Sequence, residues 1–270
     1  MSRRKIFSKI LKEGVRIVAR IIAIANQKGG VGKTTTAINL SAGLAMNGKK
    51  ILLVDCDPQG NATSGLGINK STLNKTIYDV LINNVETKYA LQMTNYNVTV
   101  LPANINLAGA EIELVSAIAR ENKLRNALEP LRNDYDYILI DCPPSLGLLT
   151  INSLAAAESI LIPIQCEFYA LEGVTQLKNT INLVRSSLNP LLAIEGVIMT
   201  MYDSRTNLSQ QIVENVKKNY GYLVYDTLIP RSVKLAEAPS YGMPIVAYDK
   251  KSKSAEVYLK LTEEVVNRGN

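Results

Sequence analysis

The chain has 270 residues, 47% of them hydrophobic, and a formal net charge of +6. That length and apolar content suit one large globular domain or two small ones; no run of 18 uncharged apolar residues marks a membrane span, and no signal-peptide cleavage pattern follows the basic start. Histidine is absent, which excludes Ser-His-Asp and Cys-His nucleophile systems and His-ligated metals, so chemistry must run on carboxylates, lysines, hydroxyls and a bound cation.

Residues 1–19 form a basic extension. Arg3, Arg4, Lys5, Lys9, Lys12, Arg16 and Arg20 face only Glu13 over the first twenty residues, while the remainder balances at 23 basic against 23 acidic. The net charge therefore belongs to the first twenty residues and does not by itself point to nucleic-acid binding by the body. Ile6, Phe7, Ile10, Leu11 and Gly14 fall on one helical face ringed by basic residues, a pattern that suits anionic lipid or DNA. About twenty residues are too few for a packed helix-turn-helix domain. A third reading is favoured: Lys12-Glu13-Gly14 can be encoded by a ribosome-binding sequence and Val18 by a GTG start, which makes residues 1–17 an upstream misassignment.

From residue 20 onward, apolar runs alternate with helical periodicity. The pattern predicts strands at 20–26, 50–55, 97–101, 136–141, 158–163, 194–201 and 224–229. It predicts helices at 34–47, 76–82, 107–117, 120–131, 147–156, 170–187, 207–219 and 252–267, the first stopped by Gly48. Most strands are short, β-branched and unalternating, as buried parallel strands are. The predicted architecture is one α/β domain over 20–270, with a mostly parallel twisted sheet of about seven to eight strands and helices on both faces.

Between the first strand and the first helix lies Lys28-Gly29-Gly30-Val31-Gly32-Lys33-Thr34-Thr35. Strand, glycine-rich loop and helix are the context of a phosphate-binding loop: backbone N–H groups converge on phosphate oxygens, and the helix N-terminus adds partial positive charge. Lys33 is placed for the β/γ-phosphates and the Thr34 hydroxyl for Mg²⁺. The plain phosphate-loop pattern asks for glycine at position 27, where this chain has Gln27; a second lysine, Lys28, stands at the loop entrance instead.

Two further strands end in aspartates just short of proline: Ile51-Leu52-Leu53-Val54-Asp55-Cys56-Asp57-Pro58 and Tyr137-Ile138-Leu139-Ile140-Asp141-Cys142-Pro143-Pro144. Aspartates before prolines also start ordinary turns. Beside a phosphate loop, carboxylates at strand ends hold a metal through water or orient an attacking water. Cys56, Cys142 and Cys166 lack metal spacing and read as small buried hydrophobes.

As a set, the loop 28–35, the segment 55–61 and the strand end at Asp141 resemble the deviant Walker A group of P-loop ATPases, the ParA/MinD group. Met201-Tyr202-Asp203-Ser204-Arg205-Thr206-Asn207-Leu208 and Ile229-Pro230-Arg231-Ser232-Val233-Lys234-Leu235-Ala236-Glu237-Ala238-Pro239-Ser240-Tyr241-Gly242 resemble its ParA/Soj chromosome-partition branch. The match runs over about residues 20–267. It implies a P-loop NTPase domain that uses ATP and Mg²⁺. Residues 28–35 (Lys28, Gly29, Gly30, Val31, Gly32, Lys33, Thr34, Thr35) would bind ATP, with Pro230 near the adenine. Thr34, Asp55 and Asp141 would serve the metal, and Asp57 would orient the attacking water. Lys28 would cross to the nucleotide of a second copy in an ATP-bound homodimer. The resemblance further implies slow hydrolysis stimulated by a ParB/Spo0J-like partner, nonspecific DNA binding through Arg205 and Lys234, and a cytoplasmic protein that joins the nucleoid in its ATP state. Between 205 and 253, eight basic residues stand against four acidic ones, enough for a phosphate-tracking surface once doubled by dimerisation.

The runner-up is a MinD-like membrane-cycling ATPase, which relies on a C-terminal amphipathic helix. Residues 258–270 read instead as the last helix of the fold without a basic tail, and no stable membrane insertion is expected. Positioning of a cargo other than DNA stays open. An iron–sulfur electron carrier would need cluster-ligating cysteines, and a dethiobiotin-type synthase would need a substrate pocket that the sequence does not reveal.

Overall fold

The computed structural model describes residues 18–167 and 172–269. The extension at 1–17 and the first residues of the helix predicted from 170 lie outside them. Seven strands form one sheet: β1 (Arg20–Ile24), β2 (Ile51–Asp55), β3 (Gln92–Met93), β4 (Val98–Leu101), β5 (Tyr137–Asp141), β6 (Ser159–Gln165) and β7 (Ala193–Thr200). Their spatial order is β3-β4-β2-β5-β1-β6-β7. Among the described residues only the β3–β4 pairing is antiparallel. The α-helices are α1 (Lys33–Met46), α2 (Asn61–Gly65), α3 (Ile77–Leu81), α4 (Leu107–Glu113), α5 (Lys123–Leu128), α6 (Leu148–Ala156), α7 (Glu172–Ser187), α8 (Asn207–Tyr220), α9 (Val233–Glu237), α10 (Ile245–Tyr248) and α11 (Lys253–Gly269).

The unalternating strands are explained by two cores, one on each face of the sheet. Ile21, Ala23, Leu52, Val54, Ile138 and Ile140 pack on one side with Leu124, Leu128, Leu149 and Leu177 from α5, α6 and α7. Their strand neighbours Ile22, Ile24, Ile51, Leu53 and Leu139 pack on the other, with Ile38, Leu40 and Leu44 of α1 and Tyr258, Leu261 and Val265 of α11. Successive side chains point to opposite faces, so a strand covered on both sides must be apolar throughout. Each such fully buried aliphatic side chain contributes about 1.5–3 kcal/mol.

The register of the parallel strands builds the site. Asp141, the last residue of β5, lies opposite Ile24 of β1 and opposite Asp55 of β2. The chain leaving β1 toward α1 therefore runs beside two strand-terminal carboxylates at the C-terminal edge of the sheet, where open α/β sheets bind ligands.

Two predicted elements differ, and one strand was not predicted. The run at 224–229 forms no continuous strand: Val224 makes an isolated bridge with Val197, and the Tyr225 and Ile229 N–H groups donate to the Val197 and Met199 carbonyls of β7, each at 2.9 Å. The N–H groups of Asp226 and Thr227 donate instead to the Glu264 carboxylate at 2.9 and 3.1 Å, which removes them from a ladder. The helix predicted over 120–131 is α5 flanked by 3₁₀ turns, Arg120–Asn122 and Glu129–Leu131. Ala119 at φ 50° precedes it, and Pro130 supplies no N–H to continue it. The edge strand β3 has two exposed residues and no apolar signal to announce it.

Candidate phosphate-binding site

The loop between β1 and α1 is held from both sides. Asn26 Nδ2 donates to the Pro163 carbonyl on β6 at 2.7 Å, and Asn26 Oδ1 accepts from the Lys28 N–H at 3.0 Å. On the far side, the Thr200 hydroxyl at the end of β7 donates to the Val31 carbonyl at 2.8 Å. Gly32, at φ 90°, is the N-cap of α1. That left-handed conformation is inexpensive only for glycine. The first turn of α1 has no side-chain cap and no acidic residue, so its N–H groups and the positive end of the helix dipole are offered to an anion.

Lys33, Asp57 and Asp141 meet at this loop. Lys33 is buried and its Nζ donates to the Lys28 carbonyl at 3.1 Å. Burial lowers its pKa, while Asp141 and Asp57 pull it back up. Asp141 is fully buried, and neither carboxylate oxygen has a protein hydrogen-bond partner. Burial raises its pKa well above the carboxylate range, and neighbouring Asp55 raises it further. The nearby Thr34 hydroxyl favours the charged form without making a hydrogen bond of normal geometry.

A buried carboxylate in this condition is destabilising until a cation or donor meets it. A hydroxyl beside a bare carboxylate, next to a helix N-terminus, is a donor set that fits Mg²⁺ brought with phosphate. Among the described residues no group of three or more His, Cys, Asp or Glu could hold a metal alone, so such an ion would take its remaining ligands from phosphate and water.

Asp55 has a different environment from the one expected of a residue serving the metal. Its Oδ2 accepts from the Thr63 N–H at 2.8 Å and hydroxyl at 2.7 Å, and its Oδ1 accepts from the Asp57 N–H at 3.2 Å. These bonds favour its charged form, but burial outweighs them and raises its pKa to about 6. The carboxylate fastens the turn that carries Asp57. Asp57 itself accepts from the Gln59 N–H at 2.9 Å.

Lys28 lies at the mouth of the loop, half-exposed, in an ion pair with Glu167. Pro230 reaches the same site from the other side: with Gly32, Thr35, Met201, Leu235 and Tyr258 it lines a cleft of about 260 Å³ beside the phosphate loop. Met201 holds φ 52° there, a strained setting for a non-glycine residue.

Arg205 and Lys234 stand outside this cleft. The segments carrying them adjoin, since the Arg231 N–H donates to the Tyr202 carbonyl at 3.2 Å. Each is paired with an aspartate of its own chain. Arg205 grips Asp203 through two bonds of 2.9 and 2.7 Å and holds that carboxyl down at about 2. Lys234 pairs with Asp249. Counting from 205 left out Asp203, so the local excess of positive charge is smaller than the sequence window suggested. The thiols of Cys56, Cys142 and Cys166 are buried and free. Burial raises Cys142 and Cys166 to about 12 and also pushes the Cys56 thiol well above its ordinary value, so they pack as small hydrophobes.

Asn26 and Thr200 are the supports that sequence reasoning missed. Asn26 follows the strand directly and its position could have suggested an Asx-type turn. Thr200 carries no local signal.

Comparison with known proteins follows the same lines. A family model described as AAA domain (AAA_31) matches residues 19–194. The chain is 58% identical over 253 residues to the sporulation initiation inhibitor protein Soj of Bacillus subtilis, covering 93% of this chain and 100% of that one. It is 54% identical over 258 residues to the chromosome partitioning protein ParA of Myxococcus xanthus, covering 95% and 91%. Among solved structures, the cobyrinic acid a,c-diamide synthase of Mycobacterium smegmatis with bound ADP and magnesium superposes with a TM-score of 0.83 at 41% identity, over 93% of this chain and 95% of that one.

Proposed function

We propose that this chain, which belongs to the ParA/Soj family of chromosome-partitioning P-loop ATPases, is an ATP-driven dimerising switch that binds DNA without sequence preference and answers to a ParB/Spo0J-like partner. The observation that carries the reading is the buried, unpartnered Asp141 carboxylate beside Thr34, Lys33 and the open N-terminus of α1. Residues in this arrangement are complete only when a magnesium-bound polyphosphate is present. The ADP and magnesium of the Mycobacterium smegmatis structure support the same ligands here.

In this account the N–H groups of 29–35 and the Lys33 ammonium bind the phosphates. Thr34 and Asp141 would hold Mg²⁺, with Asp141 acting through water. When bound, the ion would supply positive charge to the phosphate oxygens. Pro230 and the apolar cleft receive the adenine. Asp57, on the turn that Asp55 anchors, orients the attacking water. Asp55 reaches the metal shell through that turn rather than as a ligand. No arginine finger stands in these motifs, which suits slow hydrolysis.

Lys28 is assigned to the nucleotide of a second copy. The Glu167 pair is no obstacle: a half-exposed ion pair is worth about 0–1 kcal/mol, which polyphosphate charge outcompetes. Light scattering tests the assignment. With ATP the wild type should double in mass, and Lys28→Ala should bind ATP yet stay monomeric; an ATP dimer in that variant would remove the cross-subunit role.

DNA rather than membrane is the proposed surface, with nucleoid association of a cytoplasmic protein in the ATP state. No helix among the described residues is long and apolar enough to cross a membrane. The face of α11 that a membrane-cycling reading would need is packed into the core through Ala255, Tyr258, Leu261 and Val265. A single domain over 20–270 remains the proposed organisation.

A further inference from the structure

Helix α6 begins where the segment 142–147 ends, and that segment leaves β5 directly after Asp141. Its N-cap is Gly147, which supplies no side-chain cap. The cap comes from another element. Glu111 of α4 accepts from the Leu148 N–H through Oε2 at 2.9 Å and from the Leu149 N–H through Oε1 at 3.3 Å. A carboxylate at a helix N-terminus meets both unpaired N–H groups and the positive end of the dipole. Gly147 makes the approach possible, since a Cβ there would lie 2.6 Å from both carboxylate oxygens.

The segment that Glu111 anchors runs from beside the end of β1 alongside the phosphate loop. At its start the Cys142 N–H donates to the Ile24 carbonyl at 3.2 Å. In its middle the Thr150 hydroxyl donates to the Ser145 carbonyl at 2.6 Å. Pro144 faces Gly29, its Cβ 3.8 Å from where a Cβ on that glycine would stand. The segment thus passes beside the Lys28–Gly29 end of the loop, whereas the apolar cleft lies at the Gly32 end, with Pro230 and Tyr258.

We propose that Glu111 is a positioning residue for hydrolysis: by fixing where α6 begins, it sets the segment 142–147 against the phosphate loop at the Lys28–Gly29 end. This rests on the ATPase reading above. Glu111 touches neither the helix N-terminus that receives phosphate nor the cleft assigned to the base. Its loss therefore displaces hydrolytic geometry while most of the binding surface stays in place. Small displacements of a positioning element weaken the chemical step out of proportion to binding.

The test compares ATP turnover with the affinity for a fluorescent ATP analogue in the wild type, Glu111→Ala, Glu111→Gln and Gly147→Ala, with Lys33→Ala as the blank. Glu111→Ala should lower the turnover rate about tenfold while analogue affinity changes less than about twofold. Glu111→Gln should lie between, because its amide oxygen still accepts one N–H. Gly147→Ala, which pushes the same contact from the other side, should repeat the alanine result. If Glu111→Ala does not fold, as judged by circular dichroism, the other two variants decide. Folded variants that turn over at the wild-type rate, or that lose affinity in proportion to rate, would overturn the inference while leaving the ATPase reading intact. Wild-type turnover no greater than that of Lys33→Ala would overturn the reading, and the inference with it.

Discussion

Replacing Asp141 by asparagine should stabilise the nucleotide-free protein while weakening its response to Mg²⁺ and ATP. Asp141 is fully buried and both oxygens lack a protein partner. The effective penalty for an uncompensated buried charge is several kcal/mol, reduced here by Lys33 and Thr34. A buried asparagine amide left unpaired costs about 1–3 kcal/mol. The difference favours Asp141→Asn by about 1–3 kcal/mol, which for a domain of this size raises Tm by about 2–6 °C. The pH dependence has a definite sign. The folded pKa of Asp141 is raised, so the stability this group contributes is full below its ordinary value of 3.8 and is lost as pH rises through the folded value. The advantage of the variant should therefore be larger at pH 7 than at pH 5. Thermal melts without nucleotide or metal at the two pH values measure it. Adding Mg²⁺ and ATP should raise the wild-type Tm more than that of the variant. A variant less stable than wild type at pH 7 would show that the carboxylate is already satisfied in the empty protein, and would refute the argument that it awaits a cation.

Thr200→Val keeps shape but removes the donor to Val31, and should weaken ATP binding about fivefold, the equivalent of one hydrogen bond near 1 kcal/mol; Thr200→Ser should restore it, as titration with a fluorescent analogue would show. Binding of Mg²⁺ and ATP should release protons near pH 6, because Asp55 titrates at about 6 and Asp141 is raised as well; calorimetry in buffers of different ionisation enthalpy reads the number released, and zero would contradict the assignment. Asp57→Ala should accumulate an ATP-bound dimer with turnover lowered at least about a hundredfold, and unchanged turnover in a rapid-quench assay would remove Asp57 from the reaction. Asp203→Asn frees Arg205 from its ion pair, so DNA affinity should rise and the salt slope steepen by up to about one unit; no change in a filter-binding salt series would remove Arg205 from the DNA surface.

The phosphate loop and the strand-end aspartates were legible in the sequence because each is a local pattern: glycines before a helix, and a carboxylate where an apolar run stops. What the sequence could not display was register. Asp55 and Asp141 are 86 residues apart, and only the pairing of β2 with β5 makes them neighbours. The Thr63 hydroxyl, which gives Asp55 its anchoring task, depends on the turn geometry of residues 57–63 rather than on composition. Thr200 and Glu111 act on segments 169 and 37 residues away, beyond any periodicity argument. The strand expected at 224–229 had the right residue types, but the N–H groups of Asp226 and Thr227 in its middle are taken by Glu264, 38 residues downstream of Asp226. One omission was avoidable: Asp203 stands two residues before Arg205, a local spacing from which the ion pair could have been read.

The central claim, that ATP turns this chain into a DNA-binding dimer, is tested most directly by binding of the full chain to random-sequence DNA with ATP, with ADP and without nucleotide, across a salt series, with anionic liposomes in parallel. The account predicts DNA binding that requires ATP and weakens as salt rises, and no ATP-dependent binding to liposomes. Nucleotide dependence separates the folded body from the basic extension, whose charge does not change with ATP. DNA binding that is the same in all three nucleotide states, or ATP-dependent binding to liposomes without DNA binding, would contradict it.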